Sequence, residues 1–342
     1  MACYHPLKAW HTGSYNMETG KEILSITGYD HEGPPGNLGF VEIPCGRCIG
    51  CRLEYSRQWA NRCLLELEYT HGQSWFVTLT YDDAHVPRRY YGAPGSGVAL
   101  PSLTLCRRDT QLFFKRLRKQ HQGETIRFFG CGEYGPTTYR PHYHIILFGL
   151  NLDDLVFEKN SQTGHPIYKS ASLERAWSFP PRDGEGVSYS SEPTLAGFVT
   201  VQPVTWECCA YTARYITKKL NGPQGEFYTN FNIDPPFTLC SRKPGIGRQY
   251  YDDHKETLYD FDYINVSTAT GGKKFRPPRY YHKLYDIEYP EKSAELRATR
   301  QKMAEFQKAA KMEKTDLSYL EYLAVEEGSL NDRIKSLKRD VI

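Results

Sequence analysis

The chain has 342 residues, of which 39% are hydrophobic and 14% aromatic, so it can bury a core and is not a disordered protein. Its formal net charge of +3 is nearly neutral and excludes a strongly basic or acidic protein. The first residues lack the apolar segment of a signal peptide, and no run approaches the roughly 18 apolar residues of a membrane span. We therefore expect a protein of a reducing compartment, whose ten cysteines are thiols or metal thiolates.

Residues 1–44 contain many turn-forming residues and predict irregular structure with a few strands. They are followed by the segment Cys45-Gly-Arg-Cys48-Ile-Gly-Cys51, whose thiol spacing favours zinc. A structural zinc ion needs four ligands, and an iron–sulfur cluster is less favoured because its usual further cysteine is missing. The candidates for the fourth ligand are Cys3, His5 and Cys63. The alternative is a set of free thiols.

Residues 52–70 predict a helix with an apolar stripe, and 75–81 a central strand. Glycine and proline make 82–102 a predicted loop. Residues 107–121 form a basic helix, because 107–120 contains six cations and one anion. Further basic clusters lie at 214–219, 242–248 and 273–279. Interleaved with Tyr and Phe, they suit a phosphate backbone with stacked bases, although they could also be solvated faces.

Two strands, 127–133 and 142–150, are predicted on either side of a polar turn. Side chains alternate along a strand, so His142 and His144 share one face and could bind one metal ion. If the strands pair as a hairpin, Glu133 can supply a carboxylate and complete a three-ligand site with open positions. The alternative is a pair of hydrogen-bonded histidines on a half-buried strand.

Residues 151–193 are polar and predict an insertion with one short helix near 172–177. A strand at 198–202 precedes a helix from Thr205 to Leu220, for which Thr205 is a candidate N-cap. After Pro290 the mixed-sign charge of 291–342 indicates one or two solvent-facing helices.

Tyr211 and Tyr215 lie one turn apart on the predicted helix, and Arg214 and Lys218 each follow a tyrosine by three residues. A phenol has a pKa near 10, and a neighbouring cation favours the phenolate that attacks a phosphate. Tyrosines that pack in the core are the alternative for this stretch.

The motifs together resemble the HUH rolling-circle replication endonucleases, and most of all the replication initiation proteins of microviruses of the gokushovirus type. The residues that carry this resemblance are 44–52, 76–81, 132–135, 140–148 and 211–219, in that order along about half of the chain. The sequence departs from the family at Arg214, where a lysine often stands. Positive charge is retained there, but a guanidinium need not orient a phosphate as an ammonium does.

The resemblance implies a central antiparallel sheet with helices on one side and the histidine strand in its middle. It implies His142 and His144 as ligands of Mg²⁺ or Mn²⁺, and a phosphotyrosyl bond to the 5′ end of nicked DNA. We infer that Glu133 fills the acidic position of the family. The partners so implied are single-stranded DNA at a viral origin and the replication machinery in the cytoplasm of a bacterial host.

The expected fold class is therefore α+β, with a Cys-rich segment at 1–70, an endonuclease core at 71–290 and a charged helical tail at 291–342. Insertions interrupt that core at 82–105 and 151–193. The expected function is DNA nicking and strand transfer by a tyrosine nucleophile. Two alternatives are a non-catalytic nucleic-acid-binding protein with a zinc knuckle, and a metal-dependent hydrolase that activates water.

Overall fold

The structure, a computed structural model, describes residues 3–18, 20, 22–92, 97–161, 164–183, 188, 190–214, 225–268 and 271–336. For residues 207, 214, 268 and 336 it describes the backbone only. The described residues fall into two compact units: residues 3–55 with 282–336 form unit 1, and 56–281 form unit 2. The functional boundaries at residues 70 and 290 stay a prediction.

Strands and helices alternate along the described chain. The strands are β1 (Leu7–Tyr15), β2 (Glu22–Gly28), β3 (Phe40–Ile43), β4 (Ser74–Leu79), β5 (Arg88–Gly92), β6 (Ala99–Leu103), β7 (Arg127–Tyr134), β8 (Pro141–Phe148), β9 (Leu155–Asn160), β10 (Pro166–Ser170), β11 (Ser178–Phe179), β12 (Thr194–Leu195), β13 (Val199–Pro203), β14 (Phe237–Cys240), β15 (Ile264–Thr268) and β16 (Gly271–Phe275). The helices are α1 (Ile49–Leu67), α2 (Arg107–Gln120), α3 (Ala171–Ala176), α4 (Trp206–Arg214), α5 (Glu226–Asn230), α6 (Arg248–His254), α7 (Arg279–Glu288), α8 (Pro290–Met312) and α9 (Tyr319–Ser336).

A seven-stranded sheet organises unit 2, with strand order β14-β7-β8-β4-β13-β10-β9. Every neighbouring pair in it is antiparallel. The α+β class with a large antiparallel sheet is therefore confirmed. The histidine strand β8 lies inside the sheet, between β7 and β4, as expected.

Helices cover both faces of this sheet, so the expectation of helices on one side only is wrong. Tyr143, Ile145 and Leu147 of β8 belong to a core that includes residues of α2 and α3. Ile146 and Phe148 point to the opposite face and pack in a second core with residues of α1 and α4. Both faces need cover because both alternating sets of side chains on β8 are apolar and buried.

Two predicted irregular regions contain strands. Within 82–102, β5 and β6 pair as a hairpin, and the glycines and proline that suggested a loop fall mostly between these strands. The 151–193 region does contain the predicted short helix, α3. However, β9 and β10 of that region extend the large sheet at one edge. Most side chains of β9 are exposed, which explains its loop-like polar sequence.

Unit 1 contains the three-stranded sheet β2-β1-β3, formed by residues that the sequence assigned mainly to irregular structure. The charged tail forms α8 and α9, which confirms the prediction of one or two helices there. Lys308 of α8 lies 3.7 Å from the ring of Tyr319 and forms an ion pair with Glu42 of β3. Among the described helices, none is both long enough and apolar enough to cross a bilayer.

Candidate metal centre and nucleophile helix

The β7–β8 hairpin positions three side chains that can bind a metal ion. Its register places Glu133 opposite His142, and Cys131 opposite His144. Opposed residues of an antiparallel pair project to the same face, so the carboxylate and both imidazoles face one side of the sheet. The turn between the strands is closed by a hydrogen bond from the Gly135 N–H to the carbonyl of Arg140, 3.0 Å long.

The ligand atoms of Glu133, His142 and His144 lie within 4.8 Å of one another. Glu133 Oε1 is 2.8 Å from His142 Nε2 and 3.3 Å from His144 Nε2. Both Nε2 atoms therefore point at one carboxylate oxygen. Two imidazole nitrogens and a carboxylate oxygen are a donor set for a divalent ion with open coordination positions.

The other nitrogen of each ring has its own partner. His142 Nδ1 lies 3.1 Å from the carbonyl oxygen of Arg140, and His144 Nδ1 lies 3.1 Å from Thr78 Oγ1. A carbonyl can only accept, so Nδ1 of His142 carries a hydrogen and Nε2 of the neutral ring carries the lone pair. A neutral His142 thus has acceptors on both sides, and a cation between Nε2 and Glu133 satisfies both. This arrangement fits a metal ligand with an oriented ring.

Glu133 is buried, with 4% of its surface exposed, and His144 is 7% exposed. Burial raises the pKa of Glu133, but hydrogen bonds from His142 and His144 outweigh it, and the net pKa lies below the ordinary value. The side chain is therefore a carboxylate at neutral pH. The side chain of His142, 19% exposed, is the most accessible of the three.

Helix α4 packs on the face of the sheet that carries these ligands. Thr205 Oγ1 accepts a hydrogen bond from the Cys208 N–H at 3.3 Å, which supports its prediction as the N-cap. Cys209 of α4 is fully buried against this face of the sheet. The ring of Tyr211 meets that of His144 edge-on, with 5.4 Å between centroids.

Phe76 of β4 holds both of these rings. It stacks on the His144 ring with 5.5 Å between centroids and an interplanar angle of 7°. The Tyr211 ring meets it edge-on at 6.2 Å. A candidate nucleophile and the candidate ligands therefore share one aromatic cluster. Of the other predicted catalytic residues, Tyr215 and Lys218 lie outside the described residues, and only the backbone of Arg214 is described.

Sequence reasoning missed Thr78 and the Arg140 carbonyl, which orient the two histidines. Thr78 is opposite His144 in the β4–β8 register. A signal for it exists in the sequence, since Phe76, Thr78 and Thr80 alternate on one face of a predicted strand. The register between β4 and β8 is required to choose among them.

Four cysteines of unit 1 form a second group of ligands. The sulfur atoms of Cys3, Cys45, Cys48 and Cys51 lie within 4.8 Å of one another. Backbone N–H groups point at these sulfurs: Cys45 N–H donates to Cys3 Sγ at 3.2 Å, Cys48 N–H to Cys45 Sγ at 3.3 Å and Tyr4 N–H to Cys48 Sγ at 3.4 Å. Such donors stabilise thiolates.

Of the three candidates for the fourth ligand, the structure brings Cys3 to the group. Cys63 is fully buried in the core of unit 2, and His5 lies 2.7 Å from Glu327. Burial raises the pKa of Cys48, but hydrogen bonds, first from the backbone of Cys51 and then from that of Tyr4, lower it to about 7. The pKa values of Cys3 and Cys51 are raised, chiefly by burial.

The chain is similar to replication-associated proteins of small phages along most of its length. The family model of the replication-associated protein ORF2 matches residues 74–220. The chain is 30% identical over 352 residues to replication-associated protein ORF2 of Spiroplasma virus 4, covering 99% of this chain and 98% of that protein. It is 28% identical to replication-associated protein VP4 of Bdellovibrio phage phiMH2K, over 90% of this chain and 85% of that protein. Replication-associated protein ORF4 of Chlamydia phage 1 is 27% identical, over 77% and 59%. No solved structure matches the chain.

Proposed function

The chain belongs to the family of phage replication-associated proteins that includes ORF2 of Spiroplasma virus 4, and from this premise we propose that it initiates replication by nicking single-stranded origin DNA. A tyrosine would attack the DNA, hold its 5′ end and later return it to a 3′-OH. The observation that carries the proposal is the edge-on contact of the Tyr211 ring with the His144 ring, 5.4 Å between centroids. It puts a helix-borne phenol beside three ligands of a divalent ion.

His142, His144 and Glu133 would hold Mg²⁺ or Mn²⁺. Such an ion supplies Lewis-acid polarisation of a phosphate and stabilises its developing charge. The donor set supports this role, because it combines an ionised carboxylate with two imidazoles whose Nδ1 atoms already have partners. The greater exposure of the His142 side chain indicates that DNA approaches from that side.

The covalent step exchanges one phosphoester for another. Tyr211 Oη forms a bond to phosphorus while the bond from phosphorus to O3′ breaks. The phenol releases its proton to solvent, and the departing O3′ takes one up and becomes a free 3′-OH. The 5′ phosphate remains on the tyrosine, and the 3′-OH can be extended by polymerase of the bacterial host.

The second transfer reverses this chemistry. Tyr215 would cut the regenerated origin, and the released 3′-OH would attack the first phosphotyrosine, which restores the phenol and closes a circle. Arg214 and Lys218 would favour the phenolate and neutralise the phosphate. Both exchanges replace one phosphodiester by another of similar energy, so they need no nucleotide triphosphate.

We also propose that Cys3, Cys45, Cys48 and Cys51 bind a structural zinc ion. Four sulfurs within 4.8 Å of one another match the closed thiolate sites that zinc prefers. The backbone donors to Cys3, Cys45 and Cys48 support thiolate ligands. Such an ion would join the start of the chain to the beginning of α1, where the cost of ordering a short N-terminal segment is highest.

The test is a covalent adduct. The purified protein is incubated with Mg²⁺ and end-labelled single-stranded phage DNA, and label that survives a denaturing gel on the protein is measured. We expect adduct with the wild type, reduced adduct with Tyr211→Phe or Tyr215→Phe, and none with the double variant. Tyr90→Phe, an exposed tyrosine of β5, is the matched control and should behave as the wild type.

The outcomes separate the alternatives. Adduct retained by the double variant contradicts the assignment of the nucleophiles. Salt-sensitive DNA binding without any adduct in the wild type indicates a non-catalytic binding protein. Cleaved DNA that never carries protein indicates a hydrolase that activates water.

A further inference from the structure

The β15–β16 hairpin of unit 2 has one buried and one exposed face. Its register pairs Ile264 with Phe275, Asn265 with Lys274 and Val266 with Lys273. Ile264 and Val266 are 2% and 3% exposed, so their face points into the protein. Because opposed residues share a face, Asn265 and Lys274 lie on the outer side, where both are exposed.

Aromatic and basic side chains meet on the outer side of this hairpin. Phe261 is 75% exposed and Tyr263 36%, and their ring centroids are 6.0 Å apart. Lys274 Nζ lies 3.6 Å from the centroid of the Tyr263 ring, and Arg276 is exposed just after β16. Within the described part of the chain, Lys274 and Arg276 form no ion pair, so their charges remain available to a ligand.

The hairpin also contacts the helix that carries the proposed nucleophile. Lys273 Nζ lies 2.8 Å from the centroid of the Trp206 ring, and Trp206 is the first residue of α4. Tyr211 follows five residues later, about 7.5 Å further along the helix axis at 1.5 Å per residue. The aromatic and basic side therefore belongs to an element packed at the start of the nucleophile helix.

We propose that Phe261, Tyr263, Lys274 and Arg276 bind the single-stranded DNA that flanks the scissile phosphate. The rings would stack on unpaired bases, and the cations would contact phosphates. This inference rests on the proposed function for the identity of the strand. Single-stranded DNA fits better than duplex DNA, because only unpaired bases expose the faces that two outward rings can cover.

The nearby charges determine which interaction should dominate. Asp260 and Asp262 lie in the same segment as the two rings and reduce its net positive charge. Stacking on Phe261 and Tyr263 should therefore contribute more affinity than phosphate contacts by Lys274. This ordering is specific to the hairpin and differs from that of a purely basic groove.

The experiment measures the affinity of the full-length protein for a labelled oligothymidylate by fluorescence anisotropy, without divalent ions so that no cleavage occurs. We expect Phe261→Ala and Tyr263→Ala each to weaken binding by about 5- to 150-fold, the range for one stacked base. Lys274→Ala should weaken it less and reduce the slope of log affinity against log salt by about 0.7.

Matched controls come from α8. Phe306 is 75% exposed, as is Phe261, and Lys302 is exposed, as is Lys274. Phe306→Ala and Lys302→Ala should leave affinity unchanged, and a thermal unfolding midpoint equal to that of the wild type should accompany every variant. Affinity unchanged in Phe261→Ala and Tyr263→Ala, or weakened equally in Phe306→Ala, would overturn the inference.

Two further outcomes separate this inference from the proposed function. If the ring variants weaken oligonucleotide binding while the wild type forms no covalent adduct, the hairpin assignment stands and the nickase proposal fails. If the wild type forms adduct but the ring variants bind normally, the hairpin assignment fails alone. Equal loss of affinity for a blunt duplex of the same length would overturn base stacking as the mode of binding.

Discussion

Thr78→Val tests whether the candidate ligands are oriented for a metal ion. The change replaces a hydroxyl by a methyl group of similar size on a half-buried β4 position, so the strand should persist. It removes the partner, 3.1 Å away, of His144 Nδ1. For His144 Nε2 to carry a lone pair towards the metal, this Nδ1 must donate to the hydroxyl oxygen.

Loss of a hydrogen-bond partner of a metal-binding histidine typically weakens metal binding by about 10- to 100-fold, equivalent to about 1.4–2.7 kcal/mol. Because His144 is only 7% exposed, water replaces the lost hydroxyl poorly, and we expect a value within that range. The Mn²⁺ affinity is measured by calorimetry, and adduct formation is followed against Mg²⁺ concentration. The midpoint should rise while the maximal rate at saturating Mg²⁺ changes little.

Thr200→Val is the matched control. Thr200 of β13 lies opposite Thr78 and on the same face, one strand further from His144. It should leave the Mn²⁺ affinity unchanged. An unchanged affinity in Thr78→Val, or an equal loss in both variants, would refute the reasoning that this hydroxyl orients a metal ligand.

Three other changes have expected outcomes. His142→Ala should abolish adduct formation while oligonucleotide affinity without divalent ions is retained, and unimpaired cleavage would remove the metal centre from the mechanism. Cys3→Ser should reduce bound zinc, measured by elemental analysis, well below the about one ion per chain expected of the wild type, whereas Cys240→Ser should not. Phe113→Ala should lower the free energy of unfolding by about 3–5 kcal/mol in denaturant titrations, because its ring is fully buried on the face away from α4. A loss below about 1 kcal/mol would contradict that packing.

The hairpin centre was predictable because it is local. Glu133 and His142 are separated by a short turn, and alternation along the strands then places His144 on the same face. The comparisons confirm the family resemblance based on this motif and its neighbours. The β5–β6 hairpin and the edge strands β9 and β10 were not predicted, because exposed strands have the polar composition of loops.

The sequence by itself determined the elements whose patterns are strong: the apolar strand β8, the basic helix α2, the charged helices of the tail and the pairing of Glu133 with His142. Only the tertiary structure selected Cys3 as the fourth thiol, Thr78 as the partner of His144, and a contact between Tyr211 and His144. Local backbone preferences and turn chemistry act over a few residues and are visible in the sequence. Contacts between residues far apart in the chain depend on which faces of the sheet the helices cover, and packing decides that.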